Sequence, residues 1–261
     1  MISTTGCRYE LSHYDSILET AKAHGYRFLF FDAFAEKQPR EKICLLRHDV
    51  DYAPEWTLNL AEIEANHDIH ATYFFQVCAK PYNLREATTC RIVKTLHELG
   101  HEIGLHFDPT WHSTVEPSQL AACCQDDKKV FKAITGLTPC NIVSFHNTHR
   151  IQNLVINRDI AELPHVYEQR FFSDIKYLSD SQGWYDGCAC EVFRSEQYKQ
   201  LQLLIHPYLW PANSNGQFID NIAHLIDVRN RELIDYFLEF HPVCKTNEGA
   251  LLDLIKNKVT S

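Results

Sequence analysis

The segment Ile43 to Trp56, ICLLRHDVDYAPEW, is an apolar run that ends in Arg47, His48, Asp49, Val50 and Asp51. Side chains alternate along a strand, so Arg47, Asp49 and Asp51 fall on one face and His48 and Val50 on the other. Two carboxylates on one face repel unless a cation or a proton sits between them. One reading is a metal centre; the other is a solvated strand end in which Arg47 pairs with an aspartate. Further apolar runs end the same way, in GLHFD, SFHN, YLSDS and LLIHP. Histidine and aspartate together suit zinc or a similar divalent ion with a position left for water. One aspartate then binds the ion, a neighbouring carboxylate takes a proton, and a histidine off the metal protonates a leaving group.

The elements that must position these residues alternate between strand and helix. SHYDSILETAKAHG reads as a helix with Ser12 as its cap, and YRFLFFDAF as a strand. ICLLRHDVD, HATYFFQV, HEIGLHF, NIVSF, FFSDIKYLSD and LQLLIHP read as further strands. Between and behind them lie helical stretches around Trp56–Asn66, ATTCRIVKTLHELG, PSQLAACCQDDKKVFKAITG and FIDNIAHLIDVRNRELIDYFLEF. Repeated βα units imply a mostly parallel sheet or barrel whose functional groups gather at the carboxyl ends of the strands.

Bulk properties narrow the function. The chain of 261 residues has no repeat or low-complexity linker and is expected to form one domain, 1–261, with an N-terminal helix-strand extension at about 8–36. A net charge of −9 provides no basic stripe and argues against nucleic acid as a partner. No basic-then-apolar leader and no bilayer-length apolar run are seen, so a cytoplasmic address without a transmembrane segment is expected. Ten cysteines without a CxxC pair read as free thiols in a reducing compartment. The one-residue spacing of Cys188 and Cys190 argues against a zinc pair.

HDVD, GHEIGLHF from Gly100 to Phe107 and LLIHP from Leu203 to Pro207 resemble the motifs of the polysaccharide deacetylases, the NodB-homology group or carbohydrate esterase family four. The likeness runs from about Tyr9 to the C-terminal helices. It is closer to the RHDVD branch found among enzymes of bacterial surface-polysaccharide synthesis, where SFHN and SDS also recur. The resemblance implies an α/β fold, a distorted (β/α) barrel. It also implies Asp49 as general base, Asp51 and His106 as metal ligands, and His206 as general acid. Two departures stand out. The family's second histidine would fall four positions after His106, where this chain has Thr110, and the next histidine is His112. The Arg-Pro-rich motif that orients the base is absent and SFHN stands in its place, which leaves Arg47 to orient the base and His146 to enter the metal shell. As third ligand, His146 at a strand end is preferred to His112, which needs a loop to fold back past Pro109.

Other residues carry two readings. Asp180 either lines a sugar site or belongs to an ordinary turn. Trp184, Tyr208 and Trp210 either stack on a pyranose or pack. Tyr73, Phe74 and Phe75 read as core, and His101 as the start of a strand. The expected activity is removal of an N-acyl group, acetyl first, from an amino sugar in a nucleotide- or lipid-linked glycan intermediate, with zinc as the first choice of divalent metal. An O-acetyl esterase, a deformylase or a small-amide amidohydrolase would share the site. A sugar-binding protein without turnover is the reading from another class, favoured by the missing second histidine and opposed by the retention of Asp49 and His206.

Overall fold

A computed structural model describes residues 7–112, 117–147, 163–181, 183–184 and 187–259. Helix α1 (Leu11–Ala23) leads to the short strand β1 (Arg27–Phe28) and helix α2 (Phe31–Lys37). Strand β2 (Ile43–Val50) is followed by α3 (Thr57–Asn66), β3 (Thr72–Phe75), α4 (Ala87–Glu98), β4 (Glu102–Phe107), α5 (Pro117–Thr135) and β5 (Val143–Phe145). The chain continues through α6 (Gln169–Phe172), β6 (Lys176–Ser179), α7 (Ala189–Ser195), β7 (Gln200–Ile205), α8 (Phe218–Phe240), α9 (Pro242–Thr246) and α10 (Glu248–Val259). No helix among the described residues is long and apolar enough to cross a membrane.

All strand pairings are parallel, in the order β5-β4-β3-β2-β7-β6, with β1 added beside the first residues of β2. The sheet curls strongly. Strands β2 and β5 are three spacings apart, about 14 Å in a flat sheet. Nevertheless the short side chains of Asp49 on β2 and Ser144 on β5 meet, with Ser144 Oγ donating to Asp49 Oδ2 at 2.9 Å. The fold is thus α/β, a distorted (β/α) barrel whose strand path among the described residues runs open from β5 to β6.

Every residue of β2 is buried, as a parallel strand covered on both faces requires. Its outward face carries His48 against Glu64 of α3, and its inward face carries Arg47 and Asp49. On β4 the inward positions include Gly104 and His106. A Cβ at position 104 would lie 2.4 Å from the ring of Phe74, so glycine is what lets the aromatic fill the barrel at that level. Tyr73, Phe74 and Phe75 are fully buried, as expected of core residues.

Three local expectations are corrected. The cap of α1 is Glu10, not Ser12, whose carbonyl instead accepts a hydrogen bond from Ser16 within the helix. Of YRFLFFDAF only Arg27 and Phe28 pair as a strand, because Phe31 and Phe34 bury one face of a helix turn. FFSDIKYLSD likewise divides between the end of α6 and β6.

Candidate metal and catalytic site

Just past the end of β2, Asp51 meets two histidines from other strand ends. Asp51 Oδ1 lies 3.0 Å from His106 Nε2 on β4 and 2.9 Å from His146 Nδ1, which immediately follows β5. The two histidine nitrogens are 3.1 Å apart. Three donor atoms at these separations form a face only a few tenths of an ångström tighter than the ~3.3 Å edges set by zinc bonds of about 2.0–2.1 Å. The donor set therefore fits a divalent ion. His106 Nδ1–H donates to Ser144 O at 3.2 Å, which fixes the ring and turns the Nε2 lone pair toward the cluster. Burial pushes the Asp51 carboxyl up, but its close contacts with the His106 and His146 rings outweigh it and hold the group well below the usual carboxylate range. Burial lowers the His146 pKa, and Asp51 more than offsets this, so the net shift is upward.

Asp49 is 2% exposed and stands behind the cluster, with Oδ2 4.0 Å from His106 Nδ1. That oxygen is held by Ser144 and lies 3.7 Å from the Arg47 guanidinium, while Oδ1 is buried with no hydrogen-bond partner. Arg47 is fully buried. It donates to Ser144 Oγ at 2.8 Å and to Tyr167 OH at 3.1 Å, and its guanidinium lies over the Tyr167 ring. A solvated strand end is therefore excluded: the pair Arg47–Asp49 lies inside the barrel.

His206, one residue beyond β7, places Nε2 3.9 Å from Asp51 Oδ2. Its Nδ1–H donates to Asp180 Oδ1 at 2.6 Å and its backbone N–H to Asp180 Oδ2 at 2.8 Å. Burial pulls the imidazole pKa down, but the Asp180 carboxylate raises it to about 9, so His206 is an imidazolium near neutrality. Asp180 also accepts from Trp210 Nε1 at 2.9 Å and is fully buried, which corrects the idea that it lines a sugar site: it carries His206.

Trp184, 3% exposed, is enclosed by Tyr9 and Trp210, and Trp210 is fully buried. Neither tryptophan lines the cleft described below. His112 turns away from the cluster to Asp127, with Nε2 3.3 Å from Oδ2, so His146 and not His112 supplies the third donor atom. His101 accepts the Ala71 N–H at the foot of β4, far from a ligand role.

A cleft of about 500 Å³ opens over Asp51 and His146. Its walls include Tyr52, Trp111 and Tyr208, and Tyr52 and Trp111 are 40% and 51% exposed. Sequence reasoning passed over Tyr52 and Trp111. The only signal was their place within a few residues of strands ending in Asp and His. Tyr52 and Tyr208 meet edge to face at 4.8 Å.

No family model matches the chain. No curated protein matches it either. Several solved structures are similar to it at low identity. The Streptococcus pyogenes deacetylase PplD in complex with acetate is 15% identical over 82% of this chain and 86% of its own, with a TM-score of 0.41. A family 4 carbohydrate esterase from Streptomyces lividans, also with acetate, is 16% identical over 73% and 90%, at 0.40. A family 4 pseudoenzyme from Bacillus anthracis is 14% identical over 74% of this chain, at 0.42, and this chain spans 62% of its length.

Proposed function

We propose that the protein is a metal-dependent hydrolase that removes an N-acyl group, acetyl first, from an amino sugar of a surface-glycan precursor. The observation that carries this reading is the convergence of Asp51, His106 and His146 on one point, with Asp49 Oδ2 4.0 Å from the far nitrogen of the His106 ring and His206 Nε2 3.9 Å from Asp51 Oδ2. A divalent ion held by the three donors, zinc as first choice, supplies Lewis acidity at the acyl carbonyl and makes the attacking water more acidic.

The chain's own residues do the rest. Asp49 takes the water's proton on Oδ1, the oxygen without a protein partner, while Ser144 and Arg47 hold Oδ2 and so fix the orientation of the carboxylate. His206, kept charged by Asp180, gives a proton to the departing amine. Tyr52 and Trp111 offer exposed ring faces on which a pyranose can stack.

The test is acetate release by the zinc-loaded protein from N-acetylated nucleotide sugars and from matched O-acetyl esters, with Asp49→Asn as the control. Release from the amide and not the ester supports the N-deacylase reading; preferential release from the ester moves the assignment to an esterase. Metal-loaded protein that releases acetate from neither class overturns the hydrolase reading.

A further inference from the structure

A second group of ligating side chains meets away from the cleft, where the N-terminal segment crosses the start of α7. Cys7 precedes α1, His13 lies in its first turn, Cys188 immediately precedes α7 and Cys190 is its second residue. Cys7 Sγ is 3.7 Å from Cys190 Sγ, Cys190 Sγ is 3.3 Å from Cys188 Sγ, and Cys188 Sγ is 3.5 Å from His13 Nε2. One ligand atom from each of the four lies within 4.8 Å of all the others. Ligand bonds of about 2.3 Å to sulfur and 2.0–2.1 Å to nitrogen give a tetrahedron with edges of about 3.8 Å between sulfurs and about 3.6 Å between sulfur and nitrogen. The three contacts at 3.3–3.7 Å are close to those edges and far from a disulfide bond of about 2.05 Å, and the other three pairs lie within 4.8 Å.

The histidine is set for the role. His13 Nδ1–H donates to Arg8 O at 2.6 Å, which leaves the Nε2 lone pair facing Cys188. Cys188 and Cys190 are buried at 0% and 3% exposure. The short Cys188–Cys190 spacing weighed against zinc when only two ligands were in view. Folding supplies the other two from more than 170 positions earlier in the chain.

We propose that Cys7, His13, Cys188 and Cys190 bind a structural zinc ion, four-coordinate and closed to substrate, that fastens the N-terminal segment to α7. The fastened segment reaches the cleft wall from behind. Tyr9, two residues after Cys7, donates its hydroxyl to Asp180 O at 2.8 Å and packs against Trp184 and Trp210. The clamp therefore braces the residue that carries His206, although zinc binding here does not depend on how the cleft is read.

The test uses the reduced full-length chain, stripped of metal and titrated with cobalt. Tetrahedral cobalt on thiolates gives an intense near-ultraviolet charge-transfer band, which Asp51, His106 and His146 cannot produce. The expected result is that band in the wild type, its persistence in Asp51→Asn, its displacement by zinc, and its loss in the Cys188→Ser, Cys190→Ser double variant. Cys7→His, which keeps four donors, should still bind zinc while the band falls by about one third, in step with the drop from three thiolates to two. Cobalt binding by the wild type without a charge-transfer band overturns the proposal. So does a freshly purified, zinc-free protein in which mass spectrometry finds two of these cysteines joined as a disulfide.

Discussion

At the scale of single residues, the proposed function separates groups that would hold an ion from groups that would move protons, and substitution can tell them apart. Asp49→Asn keeps the shape of the side chain and the hydrogen bond from Ser144 but removes the base. Turnover is expected to fall by roughly two to four powers of ten with zinc content unchanged. His206→Ala should act the same way, and loss of zinc in either would mean that a ligand has been mistaken for a proton carrier. Asp180 adds a dependence on pH. Its carboxylate raises the His206 pKa to about 9, so the acid form survives until pH rises through that value and activity declines above it. Asp180→Asn removes the anion and should move this alkaline limb to lower pH, toward the ordinary histidine value of about 6.5. An unmoved limb in the pH–rate profile would show that His206 is not the acid. Asp180 could not be told from a turn residue in the sequence, because Asp-Ser-Gln-Gly is ordinary turn chemistry and its burial under His206 and Trp210 depends on a segment more than 20 positions later.

At the scale of elements, alternation along β2 explains why the barrel needs polar groups on both faces of one strand. While Arg47 and Asp49 face inward, His48 faces α3 and places Nε2 2.6 Å from Glu64 Oε1. Tyr14 OH donates to Glu64 Oε1 at 2.5 Å and Tyr73 OH to Oε2 at 3.0 Å, so one buried carboxylate ties α1, α3, β2 and β3 together. Burial raises the Glu64 pKa, but His48, His101 and the Tyr14 hydroxyl more than reverse this and keep it ionised. Glu64→Ala leaves these donors unmet and should cost roughly 3–5 kcal/mol. Urea unfolding checks it, and a loss below about 1 kcal/mol would mean the network adds little to the docking of α3. The spacing of apolar residues marked the helices beginning at Ala87 and Phe218 well, since long amphipathic repeats declare themselves. It failed at Phe31 because a run of aromatics satisfies both strand and helix patterns, and only the choice of which rings are buried decides between them. The structure brings His146, not His112, beside Asp51 and His106, and the reason is related. The residue after a parallel strand is aimed by the sheet, whereas His112 lies past Pro109 and pairs with α5.

At the scale of the molecule, the proposed function makes the donor cluster a place where protons and a metal ion would compete for the same lone pairs. Without an ion, the Asp51 pKa is held down and the His146 pKa held up, each against its own burial and each through contact with the other. The two shifts act on stability in opposite pH directions. The contribution of the raised His146 is fully present below its unfolded pKa of about 6.5 and is lost as pH rises through the folded value. The contribution of the depressed Asp51 is present above its unfolded pKa of about 3.9 and is lost only as pH falls through the much lower folded value. Around neutrality the metal-free protein therefore loses stabilisation as pH rises, while zinc binds more tightly because fewer protons must leave. Zinc at about 100 times its Kd stabilises the folded state by about 2.7 kcal/mol, which for a chain of this size is a rise of roughly 5–10 °C in Tm. Thermal melts with and without zinc should show that rise growing between about pH 6 and 8, by the proton competition just described. In Asp51→Asn the part due to the cleft should vanish, and whatever zinc-dependent rise persists belongs to the cysteine cluster. A zinc-induced rise that is equal at the two pH values, or equal in wild type and Asp51→Asn, would show that the cleft cluster does not hold the ion.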